Sequence, residues 1–218
     1  MSGVNLSVAL EPRELALARN LGTATLAAIA LFVVSVVALQ GLRDDLDWTR
    51  VPLSFYLVGR YGVWLQVAYV ALAGAIATLA VGYYRLTRPG PGRMVTLLLF
   101  LVGALALTVT AVAQTDLGGG RALTLGARVH AIAAPLAFLG TVLGMLWQSW
   151  RFRAEPRWRE CFAVAFGLAV VCFAALWVHA LWRELPRGIS QKLVVLLIVA
   201  WFVLAARWLR SGWPMNPD

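Results

Sequence analysis

The sequence predicts an all-α fold, a polytopic membrane protein built as a bundle of six transmembrane helices with short loops, and three observations predict it. Apolar residues make up 61% of the chain and charged residues 13%, with a mean hydropathy of +0.78, far from the makeup of a water-soluble domain. Six apolar runs approach or exceed the about 20 residues that a helix needs to cross about 30 Å of hydrocarbon. The connections between them are too short to hold a core of their own, so residues 1–218 read as one transmembrane domain.

The first run, residues 21–42, follows Glu11-Pro12-Arg13-Glu14. Proline suits the first helical position, where its missing N–H would have no partner anyway, and acids suit the positive end of the helix dipole, so the first helix is expected to begin there. In the loop that follows, Asp44, Asp45 and Asp47 offset Arg43, Arg50 and Arg60. Residues 51–62, VPLSFYLVGRYG, mix apolar and aromatic residues with Ser54, Gly59 and Arg60, the pattern of a short segment lying at the membrane interface.

The second run, 62–84, carries Ala71, Ala73, Gly74, Ala75 and Ala77, and the fourth, 127–150, carries Gly140 and Gly144. Small residues at such spacings let helix backbones approach closely. Pro135 lies inside the fourth run and is expected to open the helix, because it has no N–H to donate. The third run spans 94–114, the fifth 161–182 and the sixth 193–209. Cys161 and Cys172 fall in one predicted helix about 16 Å apart along its axis, too far to be bridged. Trp48, Trp147, Trp150, Trp158, Trp182, Trp208 and Trp213 fall near span ends and are expected to be interfacial anchors.

With the N-terminus inside, the inner segments hold 11 Lys and Arg against 8 in the outer loops, which places both termini in the cytoplasm. The formal net charge of +9 is thus spread over short loops as a topology signal and forms no module that could grip nucleic acid. The expected partners are membrane lipids, with anionic headgroups facing the Arg-rich turns 85–93 and 151–160. A membrane-protein partner or a second copy of the chain stays open.

Polar chemistry gathers where the chain leaves the third span and re-enters the fourth. An apolar run ends in Gln114, Thr115 and Asp116, turns through Gly118, Gly119 and Gly120, and resumes with Arg128 and His130 inside it. His179 stands near the outer end of the fifth run, with Glu184 just beyond it. Ionisable groups inside a span are costly and by default suggest function. Asp116 and His130 are expected as a carboxylate–imidazole pair across the glycine turn. Helices two, four and six should point their N-terminal ends outward, where Arg60, Arg128 and Lys192 make each end a candidate anion site.

The order Ser54-Phe-Tyr56, Gly59-Arg60-Tyr61-Gly62, Gln114-Thr115-Asp116, Val129-His130 and Gly188-Ile-Ser-Gln191 resembles a prokaryotic membrane family called domain of unknown function 998, over roughly residues 20–210. The resemblance implies a six-helix membrane fold with polar residues gathered on one face, in a bacterial cytoplasmic membrane, and it brings no activity with it. Ala113-Gln114-Thr115-Asp116 stands where that family suggests a Phe-Pro-Thr-Asp-like turn, so the exit of the third span departs from the pattern while its aspartate is kept.

Three functions fit these residues. The first is non-enzymatic binding or transport of a lipid or small anion at the extracytoplasmic face, or an accessory-subunit role, using Asp116, His130, Arg60, Arg128, Ser54, Tyr56, His179 and Glu184 with no cofactor. The second is a metal-assisted lipid hydrolase with His130, His179 and Asp116 as ligands and Glu184 supplying acid–base chemistry. The third is a bis-histidine b-type haem protein. The first needs no residue beyond those named and is the reading taken forward. A serine or cysteine hydrolase of the soluble type is set aside, because no Gly-x-Ser-x-Gly occurs and Cys161 is expected at the cytoplasmic surface.

Overall fold

The backbone N–H of Glu11 donates to the Glu14 carboxylate at 3.1 Å, and the first helix begins at Pro12, where the sequence placed it. The computed structural model describes residues 11–116 and 124–211. Its helices are α1 (Pro12–Leu42), α2 (Gly62–Leu86), α3 (Pro91–Val112), α4 (Leu125–Phe152), α5 (Phe162–Leu181) and α6 (Arg187–Ser211). All six are long and apolar enough to cross a membrane, and no strand occurs among the described residues. The chain is a multi-pass membrane protein.

Each helix packs chiefly on its neighbours in sequence, and α6 closes back on α1, so the six form a ring whose interior is crossed by contacts of α2 with α6. Short connections make neighbours antiparallel. One pole of the bundle therefore holds the start of α1 and the end of α6 (the terminal pole), and the other holds the N-terminal ends of α2, α4 and α6 (the distal pole).

Small residues set the helix spacing. A Cβ on Gly140 would lie 3.0 Å from the Gly103 nitrogen and one on Gly144 would lie 2.6 Å from the Phe100 ring, so the glycine pair of α4 is the contact face for α3. Two buried aromatic side chains find hydrogen-bond partners across helices, which hydrocarbon surroundings favour. The Tyr83 hydroxyl donates to the Ala205 carbonyl at 2.9 Å. Trp201 Nε1–H is shared between Ser149 Oγ at 3.0 Å and the Ala165 carbonyl at 3.1 Å, which joins α4, α5 and α6. At the terminal pole Glu155 accepts from the Arg88 N–H at 3.1 Å and from Arg151 at 3.2 Å, locking the two basic turns together.

The distal pole is closed by residues 43–61. Buried Arg43 forms a two-pronged pair with Asp45, at 2.7 and 2.8 Å, and also donates to the carbonyls of Val58 and Arg60. The bonds from Arg43 hold the Asp45 carboxyl below its ordinary range. This segment is not the interfacial strip expected from sequence. It contains a short 3-10 helix, Leu53–Leu57, that turns Leu53, Tyr56 and Leu57 into the bundle, where all three are at most 2% exposed. The segment is fastened to α6. Gly188 N–H donates to the Arg50 carbonyl and Ile189 N–H to that of Thr49, both at 3.0 Å. Lys192 Nζ donates to the carbonyls of Trp48 at 2.6 Å and Val51 at 3.0 Å, and Leu53 N–H donates to Gln191 Oε1 at 2.7 Å. These bonds draw α6 six residues further than its apolar run, to Arg187.

Other expectations change with the structure. Pro135 does not open α4, which is continuous from Leu125 to Phe152, and its ring sits on the exposed side. Trp158 is no anchor: it is buried against Tyr83 and Phe152. Trp48, Trp147, Trp150 and Trp182 are exposed, as anchors should be, and Trp213 lies outside the described residues, as do Gly118, Gly119 and Gly120. Cys161 is buried at the start of α5 and so cannot report which side of the membrane it faces.

Two measurements check this architecture. A Cβ on Gly62 would meet the Leu57 carbonyl oxygen at 2.3 Å and one on Gly188 the Trp48 oxygen at 2.5 Å. Gly62→Ala and Gly188→Ala should each cost about 1–3 kcal/mol in unfolding followed by tryptophan fluorescence. Gly74→Ala, which meets nothing, should be neutral or slightly stabilising. For orientation, the exposed sites Asp44 and Arg88 report opposite poles. With both native cysteines buried and silent, Asp44→Cys should react with an impermeant maleimide in intact cells and Arg88→Cys only after permeabilisation; the reverse pattern inverts the orientation expected from charge.

Candidate binding slot at the distal pole

The interior of the ring holds a narrow cavity of about 70 Å³. At about 10–15 Å³ of such space per water molecule, it has room for a file of roughly five. It runs between α1, α2, α3, α4 and α6, and α5 contributes nothing to its wall. On α4 it extends from His130 to Thr141, about 16 Å by helical rise. So small a volume over such a length makes it a slot one chain wide.

Its walls change character with depth. Phe32, Leu72, Ile76, Val195 and Ile198 make the middle of the slot mainly apolar, and Tyr69 and Thr141 bring a hydroxyl each to its wall. At the distal end Ser54, Thr110, His130 and Gln191 supply polar atoms. These four come from different elements and converge because each lies close to the distal end of its own: Ser54 in the 3-10 helix, Thr110 near the end of α3, and His130 and Gln191 in the opening turns of α4 and α6.

Three of the four polar side chains are held by a bond to backbone. His130 Nδ1 lies 2.6 Å from the Ala113 carbonyl, an acceptor, so Nδ1 carries the proton and donates it. That bond satisfies the residue where α3 ends, whose ψ of 99° turns its carbonyl out of the helix. Gln191 Oε1 is used by Leu53 N–H, which leaves the amide NH₂ for the slot. Thr110 donates to the Ala106 carbonyl at 2.8 Å and keeps its oxygen as an acceptor.

Asp116 and His130 do not form the direct pair expected from sequence. Both carboxylate oxygens of Asp116 are engaged by Thr124, one by its N–H at 3.0 Å and one by its hydroxyl at 2.9 Å. Thr124 in turn caps α4, its Oγ accepting from Ala127 N–H at 3.2 Å. A carboxylate beside a helix N-terminus that holds the capping residue is a fastening for the loop. Asp116 is exposed and does not line the slot.

The other candidates lie outside it too. Arg128 and Glu184 are exposed; Arg60 is exposed and stacks on Tyr61 at 4.7 Å. Lys192 is spent on two backbone carbonyls and covers the Tyr56 ring at 5.8 Å. Tyr56 is buried, and burial pushes its hydroxyl above the usual tyrosine range. His179 is buried, with Nδ1 2.8 Å from Ser190 Oγ. A serine–histidine contact raises the question of a nucleophile. Ser190 Oγ also lies 3.0 Å from the Pro186 carbonyl, which suits the hydroxyl as donor there and as acceptor from His179. The nearby N–H groups that would hold an oxyanion, those of Gly188 and Ile189, are donated to Arg50 and Thr49. The contact pins α5 to α6. Among the described residues no three His, Cys, Asp or Glu side chains come together to hold a metal.

A family model described as a protein of unknown function, DUF998, matches residues 26–208. The chain belongs to the DUF998 family. No curated protein and no solved structure matches it. The motifs that carry the family resemblance sort into two groups in this DUF998 protein. Ser54, His130 and Gln191 line the slot, whereas Tyr56, Gly59, Gly62, Asp116 and Gly188 shape or fasten the elements that place them.

Sequence reasoning missed Gln191, Thr110 and Thr141 as lining residues. Thr110 and Thr141 were visible as isolated polar residues inside apolar runs, and His130 and Thr141 are eleven apart, which puts both on one face of α4, whereas Gln191 precedes its run and carried no such signal. Mutational coupling tests the two fastenings. Thr124→Ala should cost about 0.5–2 kcal/mol as a lost cap, and Asp116→Ala should add less than its full cost on top of it, since both remove the Thr124 hydroxyl–carboxylate bond and only the N–H bond to Asp116 is left to lose. His130→Ala and Asp116→Ala share no bond and should add nearly in full, which a double-mutant cycle on unfolding free energies will read.

Proposed function

We propose that this DUF998 protein binds a single-chain lipid, apolar chain down, in the slot between α1, α2, α3, α4 and α6, with the head of the ligand at the extracytoplasmic pole. The observation that carries this reading is one narrow cavity whose middle is lined mainly by apolar side chains, with the hydroxyl-bearing Tyr69 and Thr141 among them, and whose distal end gathers Ser54, Thr110, His130 and Gln191. A site for a small anion is best served by a cation or several converging N–H groups, and the slot offers the one amide NH₂ of Gln191. No Lys or Arg lines the slot, Lys192 is engaged elsewhere, and Arg60 and Arg128 are exposed. Of the two ligand classes compatible with the sequence, lipid is therefore favoured over anion. Binding alone, transport across the bundle and presentation to a partner protein all begin with this step.

His130, Gln191 and Thr110 are positioned by bonds to backbone, so this part of the slot is set without a ligand. Filling it tests the proposal. Ala137 lines the cavity, and Ala137→Phe places a ring in it. Purified wild-type protein, washed in detergent, should retain a single-chain lipid detectable by mass spectrometry. Ala137→Phe should lose that lipid and keep its unfolding temperature. Identical lipid profiles in the two proteins would contradict the reading; should Ala137→Phe fail to fold, Val195→Phe serves in its place, since Val195 lines the same slot from α6.

A further inference from the structure

The hydrogen-bonding groups at the distal end of the slot can be counted one by one, and they specify more than "polar". His130 commits Nδ1–H to the Ala113 carbonyl, which leaves Nε2 as the ring nitrogen open to a ligand, an acceptor in the neutral tautomer. Gln191 turns Oε1 to Leu53 N–H, which leaves its amide N–H donors as the main group it can offer. Thr110 commits its proton to Ala106 and offers only an oxygen lone pair. Ser54 carries a hydroxyl able to donate and accept. The set is two acceptors, one donor group and one group of either kind, and no charged side chain lines the slot.

We infer that the ligand carries a neutral hydroxyl head, as a long-chain or isoprenoid alcohol does, and that His130 and Gln191 read it as a pair. The inference rests on the proposed lipid-binding role of the slot. A hydroxyl needs one acceptor and at least one donor; His130 Nε2 takes its proton and the Gln191 amide donates to its oxygen, with Ser54 free to supply the second bond. A phosphate offers oxygens alone and carries charge, so it would leave the acceptors of His130 and Thr110 facing like lone pairs and would find no cation. A carboxylate meets the same two acceptors. An unsubstituted hydrocarbon would strand all four groups. The slot is too narrow for two chains side by side, which excludes a diacyl glycerolipid seated by both of its tails.

Photocrosslinking in nanodiscs tests this with defined probes: diazirine-bearing hexadecanol, hexadecanoic acid, hexadecyl phosphate and hexadecane, with adducts mapped by mass spectrometry. Hexadecanol should label slot residues such as Ile76, Val195 and Ile198 about tenfold more than the other three, the factor expected for a net hydrogen bond of about 1–1.5 kcal/mol. Ser54→Ala and His130→Ala should cut labelling by hexadecanol several-fold and leave labelling by hexadecane unchanged. Equal labelling by alcohol and phosphate, or stronger labelling by the acid, overturns the hydroxyl assignment even if the adducts map to the slot. No adduct in the slot from any probe, with the same pattern in Ala137→Phe, overturns the lipid-binding role itself.

Discussion

The ammonium of Lys192 lies against the carbonyls of Trp48 and Val51, and much of the distal pole depends on that contact. Residues 43–61 are irregular chain at the end of a membrane bundle, where a carbonyl without a partner costs several kcal/mol. Their polar backbone groups are satisfied from two directions. Arg43 serves the carbonyls of Val58 and Arg60 from below α2, and α6 serves Arg50, Thr49, Trp48 and Val51 with two N–H groups and one ammonium. With those groups matched, Leu53, Tyr56 and Leu57 can turn inward and close the bundle. Gln191 sits one residue before Lys192 and takes Leu53 N–H, so the fastening of the segment and one wall of the slot are the same turn of helix.

That coupling explains why the polar end of the slot is rigid. His130 is fixed by the carbonyl that ends α3, Gln191 by the 3-10 helix, and Thr110 by its own helix one turn back. None of the three awaits a ligand to choose its rotamer. A pre-set arrangement lowers the ordering cost of binding and makes the pattern of donors and acceptors selective, because a mismatched head leaves a buried group without a partner. The charged residues of the pole act differently. Asp45, Asp47, Asp116 and Lys192 serve structure through turns, caps and carbonyls, and Arg60 and Arg128 face out.

The six spans were legible because hydropathy over about 20 residues depends only on composition. The glycine face of α4 and the helix start at Pro12 were also legible, since small-residue spacing and proline position each have one dominant physical meaning, and His130, singled out as an ionisable group in a span, is buried and lines the cavity. Partner choice was not. Asp116 and His130 are close in the pattern of the chain, yet each found a nearer partner, Thr124 for the carboxylate and Ala113 for the imidazole. Nothing local distinguishes a carboxylate that meets a histidine from one that caps the residue opening the next helix. Likewise residues 51–62 have the composition of an interfacial strip, and only the contacts 138 residues away at Gln191 turn them into an inserted closure.

If the α6 fastening governs the distal pole, the amides of residues 48–57 should be as protected as those of the helices in hydrogen–deuterium exchange on the protein in nanodiscs. Lys192→Met, which keeps the length of the side chain and removes its donors, should raise exchange across this segment while α1, α2 and α3 keep their protection. Rapid exchange of the segment in the wild-type protein, or protection unchanged by Lys192→Met, would contradict the account.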